Sequence, residues 1–147
     1  MAPVISIRPI DDADLETLWA QQNDPEANEL AGVPARDRSS FLDHWRTKVL
    51  ANDSVVKRTI LAGNSIAGHC ICFERDGKRE VGYWLGRAFR GQGIAARALA
   101  MFLPHVHERP LYGIVSLANK ASIRVLEKCG FAPHETTETN EVLILNR

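Results

Sequence analysis

The sequence predicts a mixed α/β domain, and three observations predict it. Short segments rich in branched residues recur along the chain, as strands do. Asp76-Gly77, a favoured two-residue hairpin turn, joins two of them. After Gly93 the apolar spacing changes, with Ile94, Ala98 and Phe102 recurring four apart as on a helix. With 147 residues the chain suits one domain, read here as residues 1–147. A chain of this size buries roughly 68–70% of its unfolded surface and needs no metal or disulfide staple.

Val4 to Arg8 reads as the first strand. Asp11 or Asp12 then offers a carboxylate to cap a helix, and Leu15, Leu18 and Trp19 make its apolar face. Asn23 to Arg38 is polar, carries Pro25 and Pro34, and reads mostly as loop. Ser39 or Ser40 can cap a second helix bearing Phe41, Leu42 and Trp45. Val55 to Leu61 and Ile66 to Phe73 are strand-like around Gly63-Asn64, and Val81 to Leu85 follows the Asp76-Gly77 turn. Three successive antiparallel strands are expected there. The helix after Gly93 ends between Pro104 and Pro110, and Leu111 to Leu117 is a further strand. Ala121 to Lys128 is a helix closed by Gly130, and Val142 to Leu145 is the last strand. The expected order is β-α-α-β-β-β-α-β-α-β-β.

Composition narrows the function classes. Lys plus Arg is 18 and Asp plus Glu is 18, so nothing argues for a broad nucleic-acid or membrane surface. Cys70, Cys72 and Cys129 cannot all pair, and no zinc spacing is present, so no metal site is expected. Reduced thiols fit a cytoplasmic setting. Met1 leads into Pro3 to Ile7, a start too short and too lightly flanked for a signal peptide. Cys70 and Cys72 alternate on a strand and read as small buried hydrophobes; Trp19, Trp45 and Phe41 read mostly as core.

Chemistry is carried by Arg90-Gly91-Gln92-Gly93-Ile94-Ala95, set between a strand and a helix. Glycines there let backbone approach a ligand, and the helix start adds unpaired N–H donors and a partial positive charge, together a pyrophosphate cradle. A tight turn with no ligand is the other reading of a short Gly-x-Gly. A Walker loop would need Gly-Lys before Ser or Thr. A dinucleotide fingerprint would need an acid at the end of Leu111 to Ser116, and none is there.

Arg90-x-x-Gly93-x-Ala95 resembles the acetyl-CoA signature of the GNAT acetyltransferase superfamily, and Gly82-Tyr83-Trp84-Leu85-Gly86 is similar to the strand carrying it. A second block, Asn119 to Phe131, resembles the family's later strand-helix-strand element, closest to the ribosomal-protein N-terminal acetyltransferase branch. The resemblance implies a GNAT-like fold: a mixed, mostly antiparallel sheet of about six to seven strands with helices on both faces. It implies acetyl-CoA as cosubstrate and a primary amine as acceptor, on a protein N-terminus or a small molecule. By the same resemblance Tyr83, Trp84 and Leu85 would meet the pantetheine arm, Gly91, Gln92, Gly93, Ile94 and Ala95 would bind the pyrophosphate, and Arg90 would add charge nearby. Asn119 resembles a cofactor-contacting asparagine, or simply caps its helix.

An amine must lose a proton before it attacks a thioester, and the departing thiolate takes one up. For the base the resemblance points to Glu80, acting through a water, with Glu74 in reserve; an exposed strand charge is the plain alternative. For the acid, many relatives carry a tyrosine where this chain has Leu126, and Ser122 resembles a serine placed near the coenzyme sulfur, though it also suits helix capping. Tyr83 is another hydroxyl, read as packing. The departures at Leu126 leave open a non-catalytic acyl-CoA sensor or interaction module. Two copies could form a homodimer through an edge offered by the C-terminal strand.

Overall fold

The computed structural model describes residues 3–147; Met1, the first residue of the segment read against a signal peptide, lies outside them. Its frame is one seven-stranded sheet: β1 (Ile5–Pro9), β2 (Val56–Ala62), β3 (Ser65–Arg75), β4 (Lys78–Leu85), β5 (Leu111–Ser116), β6 (Ala132–Thr136) and β7 (Asn140–Leu145). Their spatial order is β1-β2-β3-β4-β5-β7-β6. Every pairing is antiparallel except β4 with β5, which run parallel. β2, β3 and β4 form the expected meander, and Asp76 and Gly77 both take positive φ, 53° and 76°, as a two-residue hairpin turn demands.

Helices cover both faces, because alternate strand residues are apolar on each side. On one face α4 (Ile94–Phe102) and α5 (Lys120–Lys128) pack on Ile60, Cys70, Cys72, Val81, Leu111 and Leu143. Ile94, Ala98 and Phe102 are all buried, so the four-residue spacing reports the inward face of α4. On the other face α1 (Leu15–Gln22) and α3 (Arg38–His44) bury Leu15, Leu18, Phe41, Leu42 and Trp45. α3 runs on as π-helical turns over Trp45–Leu50. Cys70 and Cys72 have no exposed surface, and burial pushes the Cys70 thiol up to about 12, as befits core packing. Among the described residues, no helix is long and apolar enough to cross a membrane.

Three expectations are corrected. The segment from Asn23 to Arg38 is not mostly loop, since α2 (Pro25–Ala31) occupies its first half. Asp24 caps it through the Ala27 N–H, Pro25 sits in its first turn, and Gly32 closes it with φ 69°. Its inward residues are Asp24 and Asn28, so no apolar stripe announces it. Neither Ser39 nor Ser40 caps α3; Asp37 does, accepting from the Ser40 N–H at 2.7 Å. The C-terminal strand offers no edge, because β7 lies between β5 and β6.

The start of the chain is tied down by one polar knot. Asp11 caps a short 3-10 turn, Asp12–Asp14, in a reciprocal capping box with Asp14. Asp14, 3% exposed, also takes two hydrogen bonds from Arg8 (2.7 and 2.8 Å) and one from Thr59 (2.8 Å). Arg8 and Thr59 are cross-strand partners, so this carboxylate staples β1, β2 and the entry to α1.

Candidate active site

β4 and β5 pair only near their starts, Arg79 with Leu111 and Glu80 with Tyr112, and then diverge. Beyond that point the sheet is open. On the opposite side β4 stays paired to β3 as far as Leu85, opposite Gly68. The fit there is close enough that a Cβ on Gly68 would sit 1.9 Å from the Trp84 carbonyl oxygen, so only glycine serves.

The ladder decides which backbone groups face the opening. Gly86 N–H donates to the Ala67 carbonyl at 2.8 Å, and hydrogen-bonded pairs alternate along an antiparallel ladder. Trp84 therefore turns its backbone toward β3, while Val81, Tyr83 and Leu85 turn theirs toward the opening. The Leu85 carbonyl is already used, accepting from Arg90 Nε and Nη2 at 3.1 and 2.9 Å. Trp84 sends its indole N–H to the Gln21 carbonyl (3.0 Å), fastening β4 to the end of α1.

At the far end of β4 the chain makes a 3-10 turn, Arg87–Phe89, and enters the glycine loop. Gly91 and Gly93 both have φ 75°, and nothing lies within 4 Å of where their Cβ atoms would be. Their role is therefore torsional: they hold a left-handed backbone that points successive amides one way. Among the described residues the N–H groups of Gly91, Gln92 and Gly93 have no backbone acceptor, and those of Ile94 and Ala95 open α4. The Arg90 guanidinium does not hang over this loop. It bridges the Leu85 carbonyl and Asp24, whose carboxylate lies 3.1 Å from Nη1.

Asp24 also takes Arg87 (2.6 and 3.2 Å), whose hydrogen bonds hold its carboxyl down at about 2. It is thus a permanent anion joining the α1–α2 elbow to the loop before α4, a link no local sequence signal reveals. α1 lies against β3 and β4 and α2 against β5, so the elbow spans the opening on that face. A groove of about 410 Å³ runs between α1 and the Gly86–Phe89 turn, bounded by Thr17, Gln21, Asp24, Gly86 and Phe89.

The titratable candidates divide by position. Glu80 is buried at the point of divergence, with Arg75 Nη2 2.7 Å away. Burial pushes its carboxyl above the usual range, and Arg75 opposes that shift. Glu74 is exposed on β3, with β4 between it and the opening. Ser122 sits in the first turn of α5, where Asn119 Oδ1 accepts from its N–H at 3.3 Å, so Asn119 is a helix cap here. The Ser122 hydroxyl lies 2.8 Å from the Tyr83 phenol oxygen. Tyr83, read from sequence as packing, thus joins β4 to α5 on the face opposite the α1–α2 elbow. Leu126 is buried against β5, its Cδ1 2.5 Å from where a Gly113 Cβ would be.

This arrangement can lay an extended, amide-bearing chain along the free edge of β4 and hold an anion at the glycine loop. A carboxylate stands on one side and a hydroxyl pair on the other. Comparison with known proteins agrees. The model of the acetyltransferase (GNAT) domain family matches residues 5–132. No curated protein matches the chain by sequence. Among solved structures, the aminoglycoside acetyltransferase AAC(6')-Ib in complex with coenzyme A is 19% identical, with TM-score 0.79 over 98% of this chain and 95% of that one. A RimL ribosomal-protein alpha-N-acetyltransferase is 16% identical, with TM-score 0.83 over 97% and 90%. A GNAT-family acetyltransferase from Bacillus anthracis is 15% identical, with TM-score 0.82 over 99% and 96%. At these identities the structural likeness establishes the fold.

Proposed function

We propose, from the premise that this chain belongs to the GNAT acetyltransferase family, that it transfers an acetyl group from acetyl-CoA to a primary amine. The observation that carries this reading is the divergence of β4 from β5 with the Gly91–Ala95 amides at its outer end. The residues present fit such a cosubstrate, because the loop amides are free donors and the β4 edge beyond Val81 is unpaired by β5. The solved neighbour AAC(6')-Ib is an aminoglycoside acetyltransferase whose complexes hold coenzyme A or acetyl-CoA.

In this reading Gly91, Gln92, Gly93, Ile94 and Ala95 receive the pyrophosphate. The backbone of Tyr83 meets the pantetheine arm and offers an N–H to the acetyl oxygen as it gains charge. Trp84 and Leu85 set the strand's position, the one anchored on Gln21 and the other on Arg90. Arg90 acts on the loop through that brace and through Asp24, and Asn119 acts by capping α5. The acceptor enters beneath the α1–α2 elbow. Neighbours of this fold act on aminoglycosides or on a ribosomal protein, and the acceptor here is a primary amine of one of these kinds.

Glu80 is the base, through a water, and Ser122 hands a proton to the leaving sulfur. Because burial raises the Glu80 carboxyl, the acid limb of the rate profile is expected above the ordinary glutamate range near about 4.3. Glu80→Gln should lower kcat/KM by roughly 10²-fold or more and abolish that limb. An unchanged pH–rate profile would remove Glu80 from the role. The reading as a whole is tested by incubating the protein with acetyl-CoA and a panel containing kanamycin, polyamines and Ser-initiated peptides. Acetylation of any member supports it. Acetyl-CoA binding with transfer to none would favour the acyl-CoA sensor.

A further inference from the structure

Tyr83 and Ser122 form a closed two-hydroxyl unit. Their oxygens are 2.8 Å apart, they come from β4 and the first turn of α5, and among the described residues neither hydroxyl has another hydrogen-bond partner. Two such groups hold two protons, and one shared bond uses only one of them. The other stays free to point elsewhere. Both residues flank the opening, β4 by its free edge and α5 beside β5, and no other hydroxyl makes a bond between these two elements.

We propose that Tyr83 is a positioning residue for acyl transfer: by donating to Ser122 Oγ it turns the serine proton toward the leaving sulfur and replaces that proton as it departs. The inference rests on the acetyl-transfer reading. As the amine nitrogen forms its C–N bond with the acyl carbon, the C–S bond breaks and its electron pair stays on sulfur. The Ser122 proton moves to that sulfur while the Tyr83 proton moves to Ser122 Oγ. The phenolate left behind is neutralised by the proton the amine gave up, carried through solvent, so the protein ends unchanged.

Chemistry favours a pair over a lone serine. A serine hydroxyl is a far weaker acid than a thiol, whereas a phenol, ordinarily near about 10, is much closer to a thiol near about 8.5. With Tyr83 behind Ser122, the proton finally lost is a phenol's. Leu126 has no proton to offer and is fully occupied in packing against Gly113. Burial pushes the Tyr83 phenol up, although the Ser122 bond opposes that shift, so it stays protonated across the neutral range.

The test follows thiol release from acetyl-CoA with kanamycin, a Ser-initiated peptide or water as acceptor. Tyr83→Phe should lower kcat by roughly 10- to 100-fold while the acetyl-CoA Kd stays within about twofold. Ser122→Ala should lose a similar amount, and the double variant should be no worse than Ser122→Ala, as for two groups in one step. Full turnover in Tyr83→Phe, or losses that multiply in the double variant, would overturn the proposal. If Tyr83→Phe does not fold, 3-fluorotyrosine incorporated in a Tyr112→Phe background leaves Tyr83 as the one labelled site, since the chain has 2 tyrosines. The lowered phenol pKa should then bring a falling alkaline limb in kcat to lower pH, and an unmoved limb contradicts the proposal. Failure of the parent protein to bind acetyl-CoA would instead sink the acetyl-transfer reading itself.

Discussion

Gly93→Val should weaken acetyl-CoA binding by about 30- to 150-fold while the protein stays folded, because strain of about 2–3 kcal/mol at the loop falls directly on the binding free energy. Gly93 holds φ at 75°, a region β-branched residues scarcely enter. A Cβ there meets nothing within 4 Å, so the loss does not come from a clash inside the protein. It comes from the backbone: relieving the torsion turns the Gly93 and Ile94 amides out of the arrangement the positive φ holds. α4 is held by the burial of Ile94, Ala98 and Phe102, so its packing survives. Calorimetry and a thermal melt, run together, check both halves. Unchanged affinity in a folded Gly93→Val protein would take the pyrophosphate away from this loop.

Asp14→Ala acts on stability instead. It removes the acceptor for Arg8, Thr59 and the Asp11 N–H together, and strands the Thr59 hydroxyl, which has no exposed surface. A fully enclosed pair that loses one partner costs about 3–5 kcal/mol; Arg8 reaches solvent, so about 2–4 kcal/mol is expected here. For a chain of this size that lowers the melting midpoint by roughly 5–15 °C. The pH dependence follows from the same contacts. The Arg8 guanidinium holds the Asp14 carboxyl down at about 2, below an unfolded value near about 3.9. Its stabilisation is therefore complete above the unfolded value and is lost as pH falls from about 4 toward 2. Asp14→Asn should flatten that part of the acid-unfolding curve. A variant that melts within a degree or two of the parent would show the knot to be dispensable.

Much of this architecture could be read from residue order, and the parts that could not have physical reasons. The β2–β3–β4 meander was legible because alternation and the Asp76-Gly77 turn are local signals. α4 was legible because its buried face is apolar at helical spacing. α2 was hidden because its inward face is Asp24 and Asn28, so hydrophobic period says nothing; Asp24-Pro25 and Gly32 were the cap signals that could have found it. The insertion of β7 between β5 and β6 is a crossover, set by tertiary packing and marked by no local residue.

The site divides in the same way. The glycine loop and its strand are contiguous in sequence, and so could be recognised together. Tyr83 with Ser122 is separated by 39 residues, and Asp24 with Arg90 by 66, so each pair exists only once the sheet and its two helical layers are assembled. Arg90 shows what this costs: a cation beside a phosphate cradle reads as a phosphate contact, yet its guanidinium is spent on Asp24 and the Leu85 carbonyl. The carboxylate candidates were separable only by topology, since β4 places Glu80 at the mouth of the opening and screens Glu74 from it.

The most direct test is a calorimetric titration of the purified protein with acetyl-CoA, with NADH as the comparison ligand. A diverged β4–β5 edge ending in a glycine-loop anion cradle should bind acetyl-CoA in the micromolar range and ignore NADH. A folded protein that takes up no acetyl-CoA would contradict the assignment of this opening as the acyl-donor site.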